Sequence, residues 1–322
     1  MAEHERVQQW LVEVDPSVHW QVLRDVLGQS PDAWAPVRQR VETDGWGARL
    51  LALEDDDGQW AGGSFLPRGF TRREWEEEGQ PWTATTYAIS QLRELGLDPA
   101  SAAARRMVEL VGENARWDHD GQPFWSGEVE ECINGRTVAD GAYFGVDVSA
   151  LVERLAGERL DDGGWNCDRA AGSVRSSFDS TVNVLEGLAQ YERATGGTTA
   201  SREARASGEE FLLERRLFRR LSTGQPADPS FLELLHPTRW HYDVLRALDH
   251  FRDAASLTGA RPDPRLDEAV GWLRSRRSPD GTWPLERTLP GRTWFDLDDG
   301  VGRPSPWVTL KAMRVLAWVD AA

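Results

Sequence analysis

Cysteine, net positive charge and long apolar runs are all scarce in this chain of 322 residues. Its two cysteines, Cys132 and Cys167, are too few for a disulfide scaffold, and this scarcity fits a reducing compartment. No stretch approaches the roughly 20 apolar residues that span a bilayer. Residues 1–6 lack the basic-then-apolar pattern of a secretory signal. We therefore expect a cytoplasmic protein without a transmembrane segment.

Basic charge is in deficit, because 37 Lys and Arg residues face 53 Asp and Glu residues, for a net charge of −16. A nucleic-acid-binding surface needs a basic face, and so does docking on anionic lipid. We therefore expect no nucleic-acid partner. A Gly-rich phosphate loop, a Ser-His-Asp signature and zinc-finger spacing are also missing. Hydrophobic residues make up 40% of the chain, which is enough for a folded core.

Tryptophan, in contrast, is abundant, with 16 residues against only 4 Tyr and 10 Phe. Part of this excess belongs to a repeated Asp-Gly-x-Trp segment, found at 57–60, 162–165 and 280–283, with a looser copy at 120–125. Asp-Gly favours a turn, and the following Trp offers a large apolar surface with one N–H to satisfy. Repeats of this period indicate either stacked helical pairs or a propeller.

Helical periodicity decides between these two architectures. Apolar helical patterns that start near Pro, Ser, Thr or Asn lie at 22–27, 81–89, 134–138, 177–185, 244–248 and 306–310. More polar helical patterns lie between them, at about 98–115, 146–158, 200–218 and 264–276, with a poorer one near 32–54. Strand-like alternation is scarce, and the proline-rich segment 222–238 is predicted to be a loop.

These patterns predict an all-α protein, an (α/α)6 barrel. Six apolar helices would form a parallel inner layer, and about six amphipathic helices would form an antiparallel outer layer. Residues 1–322 would then be one domain. Its repeats would run roughly over 15–55, 56–115, 116–160, 161–218, 219–276 and 277–322.

The Asp-Gly-x-Trp segments resemble the glutamine-tryptophan (QW) repeats of squalene and oxidosqualene cyclases. The alternating helices resemble the toroid that these cyclases share with the β subunits of protein prenyltransferases. The resemblance covers roughly residues 15 to 318. It implies structural Trp residues and a barrel that handles an isoprenoid or other apolar substrate, with acid-initiated cyclisation as one chemistry. The single barrel is similar to that of the prenyltransferase β subunits.

An acidic motif, Asp296-Leu297-Asp298-Asp299, resembles the Asp-x-Asp-Asp motif of class II terpene cyclases. In those enzymes the middle Asp protonates an alkene or an epoxide, and aromatic faces stabilise the carbocation that follows. The resemblance implies that Asp296, Asp298 and Asp299 form the acid site. The context differs, however, because Gly300 follows the motif where the cyclases have Thr. A solvated acidic loop is the alternative.

A second acid, Asp179, enters the predicted fourth inner helix directly. When the cyclases are aligned on Thr181, Asp179 takes the place of their middle Asp. The same alignment places it where protein prenyltransferases carry a zinc-ligating His. Glu130 and Cys132 stand where those enzymes have an acid-x-Cys pair. The resemblance therefore implies a metal set of Glu130, Cys132 and Asp179 for Zn or Mg, whereas the residue types alone fit a helix cap and a small buried thiol.

The predicted helix starts also carry candidate substrate-binding groups. Inner-helix N-termini facing one mouth would favour a diphosphate or a carboxylate. The arginines near these starts are Arg136, Arg175, Arg239 and Arg292. The tryptophans that would contact substrate are Trp82, Trp240 and Trp307. His241 is a candidate general base, or a structural His bonded to a nearby carboxylate.

Three functions remain open from the sequence. The first is an isoprenoid-handling enzyme with an acid at the barrel mouth. The second is a non-catalytic binding or scaffold barrel. The third is a zinc-dependent prenyl-transfer subunit that needs a helical protein partner.

Overall fold

The computed structural model of the chain describes residues 3–321, and this part of the chain is predominantly helical. Within it, β pairing is limited to isolated bridges such as the one between Trp60 and Gly63. The predicted all-α class is therefore confirmed. None of the described helices is both long and apolar enough to cross a membrane.

The first half of the chain forms a series of helices separated by turns. In chain order they are α1 (Glu3–Val14), α2 (Pro16–Gln21), α3 (Pro31–Gln39), α4 (Gly45–Leu51), α5 (Arg72–Glu78), α6 (Thr85–Leu95), α7 (Ala102–Asn114) and α8 (Glu131–Tyr143). A single π-helical segment, Val22–Val26, continues α2.

The second half of the chain continues the alternation of apolar and amphipathic helices. Its helices are α9 (Ser149–Gly157), α10 (Phe178–Thr195), α11 (Thr199–Glu214), α12 (Val244–Thr258), α13 (Asp267–Ser275) and α14 (Pro306–Asp320). The predicted loop at 222–238 contains one short 3-10 turn, Pro229–Leu232. A second 3-10 turn that matters below is Cys167–Arg169.

The apolar sequence patterns correspond to the π segment that continues α2 and to α6, α8, α10, α12 and α14, and the polar patterns correspond to α7, α9, α11 and α13. The poorer pattern near 32–54 is split into α3 and α4. Two helices, α1 and α5, were not predicted. Helix α1 buries only Val7 and Leu11, and α5 has no buried residue and is held by a capping box, so neither has a strong apolar period.

Capping side chains fix several helix starts. Ser177 accepts a hydrogen bond from the Ser180 N–H at 3.0 Å, at the start of α10. Asp243 accepts one from the Arg246 N–H at 2.6 Å, at the start of α12. Each bond satisfies an amide that has no partner inside its helix, which defines where the helix begins.

The apolar helices contact one another in chain order, from α6 to α8, α10, α12 and α14. Helix α14 then contacts α2 and the π segment. The Trp20 indole N–H donates to the Leu95 carbonyl at 2.9 Å, and the Gln21 amide donates to the Glu94 carbonyl at 3.0 Å, which joins α2 to α6. The contacts among these helices therefore form a closed cycle.

The repeated tryptophans join α4, α9 and α13 to this cycle. Trp60, Trp165 and Trp283 are all buried. Their indole N–H groups donate to the carbonyls of Leu50, Leu155 and Leu273, at 2.9, 2.7 and 2.8 Å. Their backbone N–H groups donate to the hydroxyls of Thr85, Thr181 and Thr309, at 3.1, 3.1 and 3.0 Å. Each Trp thus connects the end of α4, α9 or α13 to the first turns of α6, α10 or α14.

Candidate functional site

A cavity of about 480 Å³ lies among the segments that precede α6, α12 and α14. The cavity is lined by residues that were predicted from the sequence as site candidates and by apolar residues. Lining residues include Trp82, His236, Arg239, Leu289, Phe295 and Asp298. Asp296 and Asp299 line the same cavity but are exposed.

Asp298 is the buried carboxylate of the acidic motif, with 5% of its side chain exposed. Its Oδ2 lies 2.8 Å from Nδ1 of His236, whose side chain is 1% exposed. Its Oδ1 is buried and has no hydrogen-bond partner among the described residues. Of the three motif acids, Asp298 alone combines burial, a histidine neighbour and an oxygen with free hydrogen-bonding capacity.

His236 was not predicted from the sequence. It lies in the loop before α12, far from Asp298 along the chain, and its ring stacks on Trp307 with centroids 5.3 Å apart and planes at 17°. Burial lowers the pKa of His236, although the hydrogen bond with Asp298 opposes this shift. At neutral pH the imidazole is therefore neutral, and its Nδ1 either donates to or accepts from the Asp298 carboxyl group.

Trp82 forms an aromatic part of the cavity wall. It is buried, and its indole N–H donates to the Pro290 carbonyl at 2.7 Å. Tyr87 packs edge-on against it with centroids 5.0 Å apart. The other two candidate tryptophans differ. Trp240 is half-buried and donates to Gln80 at 3.0 Å, whereas Trp307 is buried behind His236 with its indole N–H unpartnered among the described residues.

His241 lies beside this aromatic wall. Its ring stacks on Trp240 with centroids 3.6 Å apart and approaches Trp82 at 6.0 Å. Burial, followed by the charges of Arg287 and Arg246, lowers the pKa of His241 to about 4. Its Nδ1 is buried and has no hydrogen-bond partner in the described structure, so this nitrogen does not make the carboxylate bond that was one of the two roles expected of His241.

The four candidate arginines fall into two pairs. Arg136 and Arg239 are buried, with 7% and 8% exposure, and Arg239 lines the cavity. Arg175 is exposed. Arg292 is also exposed, and its guanidinium forms ion pairs with Glu74 at 3.0 Å and Glu78 at 2.7 Å. Burial thus separates Arg136 and Arg239 from the two surface arginines.

A thiol-carboxylate cluster lies at the start of α8. Ligand atoms of Glu130, Cys132 and Cys167 lie within 4.8 Å of one another. The Cys132 N–H donates to Cys167 Sγ at 3.3 Å, and the Ser180 hydroxyl contacts the same sulfur at 3.2 Å. The hydrogen bond with Cys167, together with burial, raises the pKa of Cys132 well above its ordinary value. Two sulfurs and one carboxylate are donors that suit zinc.

Asp179, the third predicted metal ligand, is not in that cluster. Its Oδ1 accepts a hydrogen bond from the Tyr242 N–H at 2.8 Å. Burial raises the pKa of Asp179, while the Tyr242 bond and Arg246 act in the opposite direction. The third ligand-type residue beside Glu130 and Cys132 is Cys167, not the Asp179 that the resemblance implied. The sequence offered no spacing rule for it, because Cys167 arrives from the 3-10 turn before α10.

A second cavity, of about 680 Å³, lies toward the ends of α6, α8 and α10 and is lined largely by charged groups, among them Arg93, Glu94, Glu186 and Lys311. Ion pairs surround it: Arg93 with Asp140 at 2.7 Å, Arg246 with Glu186 at 2.7 Å, and Arg314 with Asp249. An apolar substrate would have to displace water from charges here, so this lining favours polar contents over an isoprenoid chain.

Comparison with known proteins adds little to this geometry. No family model matches the chain, and no curated protein matches it in sequence. Among solved structures, a protein from Actinoplanes is similar with a TM-score of 0.46 and 15% identity, over 99% of this chain and 100% of that one. The type II terpene cyclase MstE from Scytonema is similar with a TM-score of 0.30 and 13% identity, over 88% of this chain and 96% of that one. Function is therefore argued from the site alone.

Proposed function

We propose that the protein is a single (α/α)6 barrel that isomerises or cyclises an unsaturated apolar substrate by proton transfer from Asp298. The closed cycle of contacts supports the ring of inner helices. The two cavities support a parallel direction of these inner helices. The segments that precede α6, α12 and α14 line one cavity, and the ends of α6, α8 and α10 line the other.

The observation that carries the proposed chemistry is the geometry of Asp298. The side chain is buried in the wall of a cavity, one carboxyl oxygen is 2.8 Å from a neutral His236, and the other has no partner. The proposed reaction requires the acid form of Asp298, in which the His236 Nδ1–H would donate to Oδ2 and the transferable proton would be on Oδ1.

The proton would add to one carbon of an alkene, and the positive charge would form on the neighbouring carbon. An internal double bond attacks that cation, a ring closes, and loss of a proton restores neutrality. The product is an isomer of the substrate, and solvent returns a proton to the Asp298 carboxylate. Trp82 and Phe295 line the same cavity and would offer aromatic faces to the cation.

The test is turnover by Asp298→Asn on a panel of linear polyprenyl diphosphates and neutral polyenes, followed by mass spectrometry and chromatography. We expect at least a ~100-fold loss of product, because general acid catalysis contributes roughly 10²–10⁴-fold. Asp161→Asn is the matched control, since Asp161 is an exposed acid outside both cavities. Its turnover should equal that of the wild type.

Two results would contradict the proposal. One is full activity in Asp298→Asn. The other is a loss of product of that size in Asp299→Asn while Asp298→Asn stays active. That result would assign the acid role to Asp299, at the exposed end of the motif. Absence of turnover on every substrate, together with no ligand-induced stabilisation, would favour the non-catalytic scaffold.

Zinc binding is a second candidate, favoured by the cluster of Glu130, Cys132 and Cys167. Three protein ligands with a fourth position open are typical of catalytic zinc. The two sulfurs and the carboxylate would hold the ion at the start of α8, where it would act as a Lewis acid or activate a substrate thiol. This candidate corresponds to the prenyl-transfer function, which also requires a protein partner.

A further inference from the structure

Arg239 is a buried cation in the cavity wall without an acidic partner. It follows the loop that contains His236, and its backbone has φ of 53°, a conformation that costs energy for a non-glycine residue. Its Nη1 donates to the neutral Gln91 side chain at 3.2 Å. Its guanidinium lies 5.8 Å from the centre of the Trp82 ring. Among the described residues no carboxylate oxygen lies within 4.0 Å of it, as an ion pair would require.

A second buried cation, Arg136, lies directly behind the first. Its Nη1 donates to the Arg239 carbonyl, and its guanidinium lies 6.0 Å from the Tyr87 ring. Its Nε is buried and has no hydrogen-bond partner. Arg136 likewise makes no ion pair within the described chain. Two guanidinium groups thus lie close together, and among the described residues neither forms an ion pair with a carboxylate.

The pKa shifts of this pair have the direction expected for buried cations without a directly bound carboxylate. Burial lowers the pKa of Arg239 to about 10, Glu94 opposes the shift from a distance, and Arg136 adds to it. Burial also lowers the pKa of Arg136, and Asp140 opposes it. Other buried arginines of this protein differ, because Arg93, Arg246 and Arg314 each bind a carboxylate directly.

Several groups together would stabilise an anion bound in this cavity. Buried charges without a partner are unfavourable, so two unpaired guanidinium groups provide a strong site for an oxyanion. The segments around the cavity lead into the starts of α6, α12 and α14, whose N-termini add positive potential. This local charge contrasts with the net charge of −16, which repels anions from the rest of the surface.

We propose that Arg239, backed by Arg136, binds an oxyanion headgroup, a phosphate ester or a carboxylate, on the substrate. Arg239 and Asp298 line the same cavity of about 480 Å³, so the substrate would be amphiphilic, with its charged end at Arg239 and its unsaturated end at Asp298. The position of the unsaturated end rests on the proposed function. The anion site does not, because it follows from the unpaired arginines.

Isothermal titration calorimetry at low salt tests the site, with inorganic pyrophosphate and benzoate as separate probes. We expect Arg239→Gln to weaken binding of the preferred probe at least tenfold, because a neutral amide replaces the charged fork. Arg239→Lys, which keeps the charge but loses the planar fork, should give an intermediate loss. Tight pyrophosphate with weak benzoate would identify a phosphate headgroup, and the reverse order a carboxylate. Arg72→Gln is the control, because Arg72 lies on the surface, with 93% of its side chain exposed.

Thermal unfolding gives an independent readout. Without a ligand, Arg239→Gln should melt at the same temperature as the wild type or higher, because it removes an unpaired buried charge. The preferred probe should raise the melting temperature of the wild type but not of Arg239→Gln.

The inference is overturned if neither probe binds the wild type, or if Arg239→Gln binds as well as the wild type does. These outcomes are separable from failure of the proposed function. Asp298-dependent turnover of a neutral polyene without pyrophosphate or benzoate binding would leave the acid chemistry intact and remove only the anion site. Arg239-dependent binding of a probe without Asp298-dependent turnover would support the anion site and reject the acid chemistry.

Discussion

At the scale of single residues, the chemistry of this protein depends on which polar groups share a buried site. Cys132 and Cys167 are separated along the chain, and Cys167 belongs to a 3-10 turn, yet both sulfurs and the Glu130 carboxylate lie within 4.8 Å of one another. Burial raises the pKa of Glu130, and the neighbouring Glu128 charge adds to the shift. A divalent cation would supply the positive charge that two thiolates and a carboxylate need together.

The corresponding prediction concerns zinc content. Protein purified without chelators should contain close to one zinc per chain by plasma mass spectrometry, and Cys167→Ser should reduce this strongly. Asp179→Asn should retain the metal, because Asp179 bonds to the Tyr242 amide instead. A wild-type content near zero would reject the zinc site. Metal lost in Asp179→Asn but kept in Cys167→Ser would restore the ligand set expected from the sequence.

At the scale of helices, one repeated bonding pattern connects α4, α9 and α13 to α6, α10 and α14. Each buried Trp of the Asp-Gly-x-Trp segments donates its indole N–H to a carbonyl at the end of α4, α9 or α13, and its amide N–H to a Thr hydroxyl in the first turns of α6, α10 or α14. The preceding glycines have positive φ, for example 101° at Gly163. The turn therefore places the tryptophan where it can bond to both helices, which explains why Gly and Trp recur together in each repeat.

This pattern predicts the effect of removing one hydroxyl. Thr309→Val keeps the shape of a fully buried side chain but leaves the Trp283 amide without its 3.0 Å acceptor. An unsatisfied buried donor costs about 1–3 kcal/mol, so we expect the free energy of unfolding in urea to fall by that amount. Thr199→Val, at an exposed position in the first turn of α11, should change it little. Equal stability of the two variants would show that the Thr-Trp bond is unimportant.

At the scale of the whole molecule, the two ends of the chain meet around one arginine. Arg314 of α14 pairs with Asp249 of α12 and lies 3.4 Å from Asp25 in the π segment. It also donates to Gln21 of α2 at 3.1 Å. The charge of Arg314 holds the pKa of Asp249 well below its usual range, even though burial acts against this. Arg314 therefore bonds three elements at the place where the cycle of helices closes.

Arg314→Met should accordingly destabilise the fold by about 1.5–3 kcal/mol, because Asp249 loses its charge-assisted hydrogen bonds with Arg314 and keeps only Arg252, at 3.0 Å. Arg274→Met removes an exposed pair with Asp320 and should cost less than about 1 kcal/mol. Both are measured by urea unfolding. The difference between the two variants in free energy of unfolding should narrow as pH falls below the ordinary carboxyl range. The stabilisation that comes from the lowered pKa of Asp249 is lost there. A difference that does not depend on pH would contradict the role given to this ion pair.

The element pattern could be predicted because it is local. Apolar spacing and capping residues gave helices α6, α10, α12 and α14 nearly at their observed starts, since each depends on residues within a few turns. Helix α5 was missed because its capping box holds it without an apolar face. All four candidate arginines were predicted near helix starts, yet two are buried and two are exposed, because exposure depends on distant elements.

By itself, the sequence determined the helical class, the alternation of apolar and amphipathic helices, and the turn that places each repeated Trp, because these follow from neighbouring residues. Only the tertiary structure decided that Asp298 is the buried acid beside His236 and that Cys167, not Asp179, joins Glu130 and Cys132. It also decided that Arg136 and Arg239 form no ion pair with any carboxylate between residues 3 and 321. Those facts concern pairs and cavities formed by residues far apart in the chain. They depend on packing between helices, which no local pattern encodes.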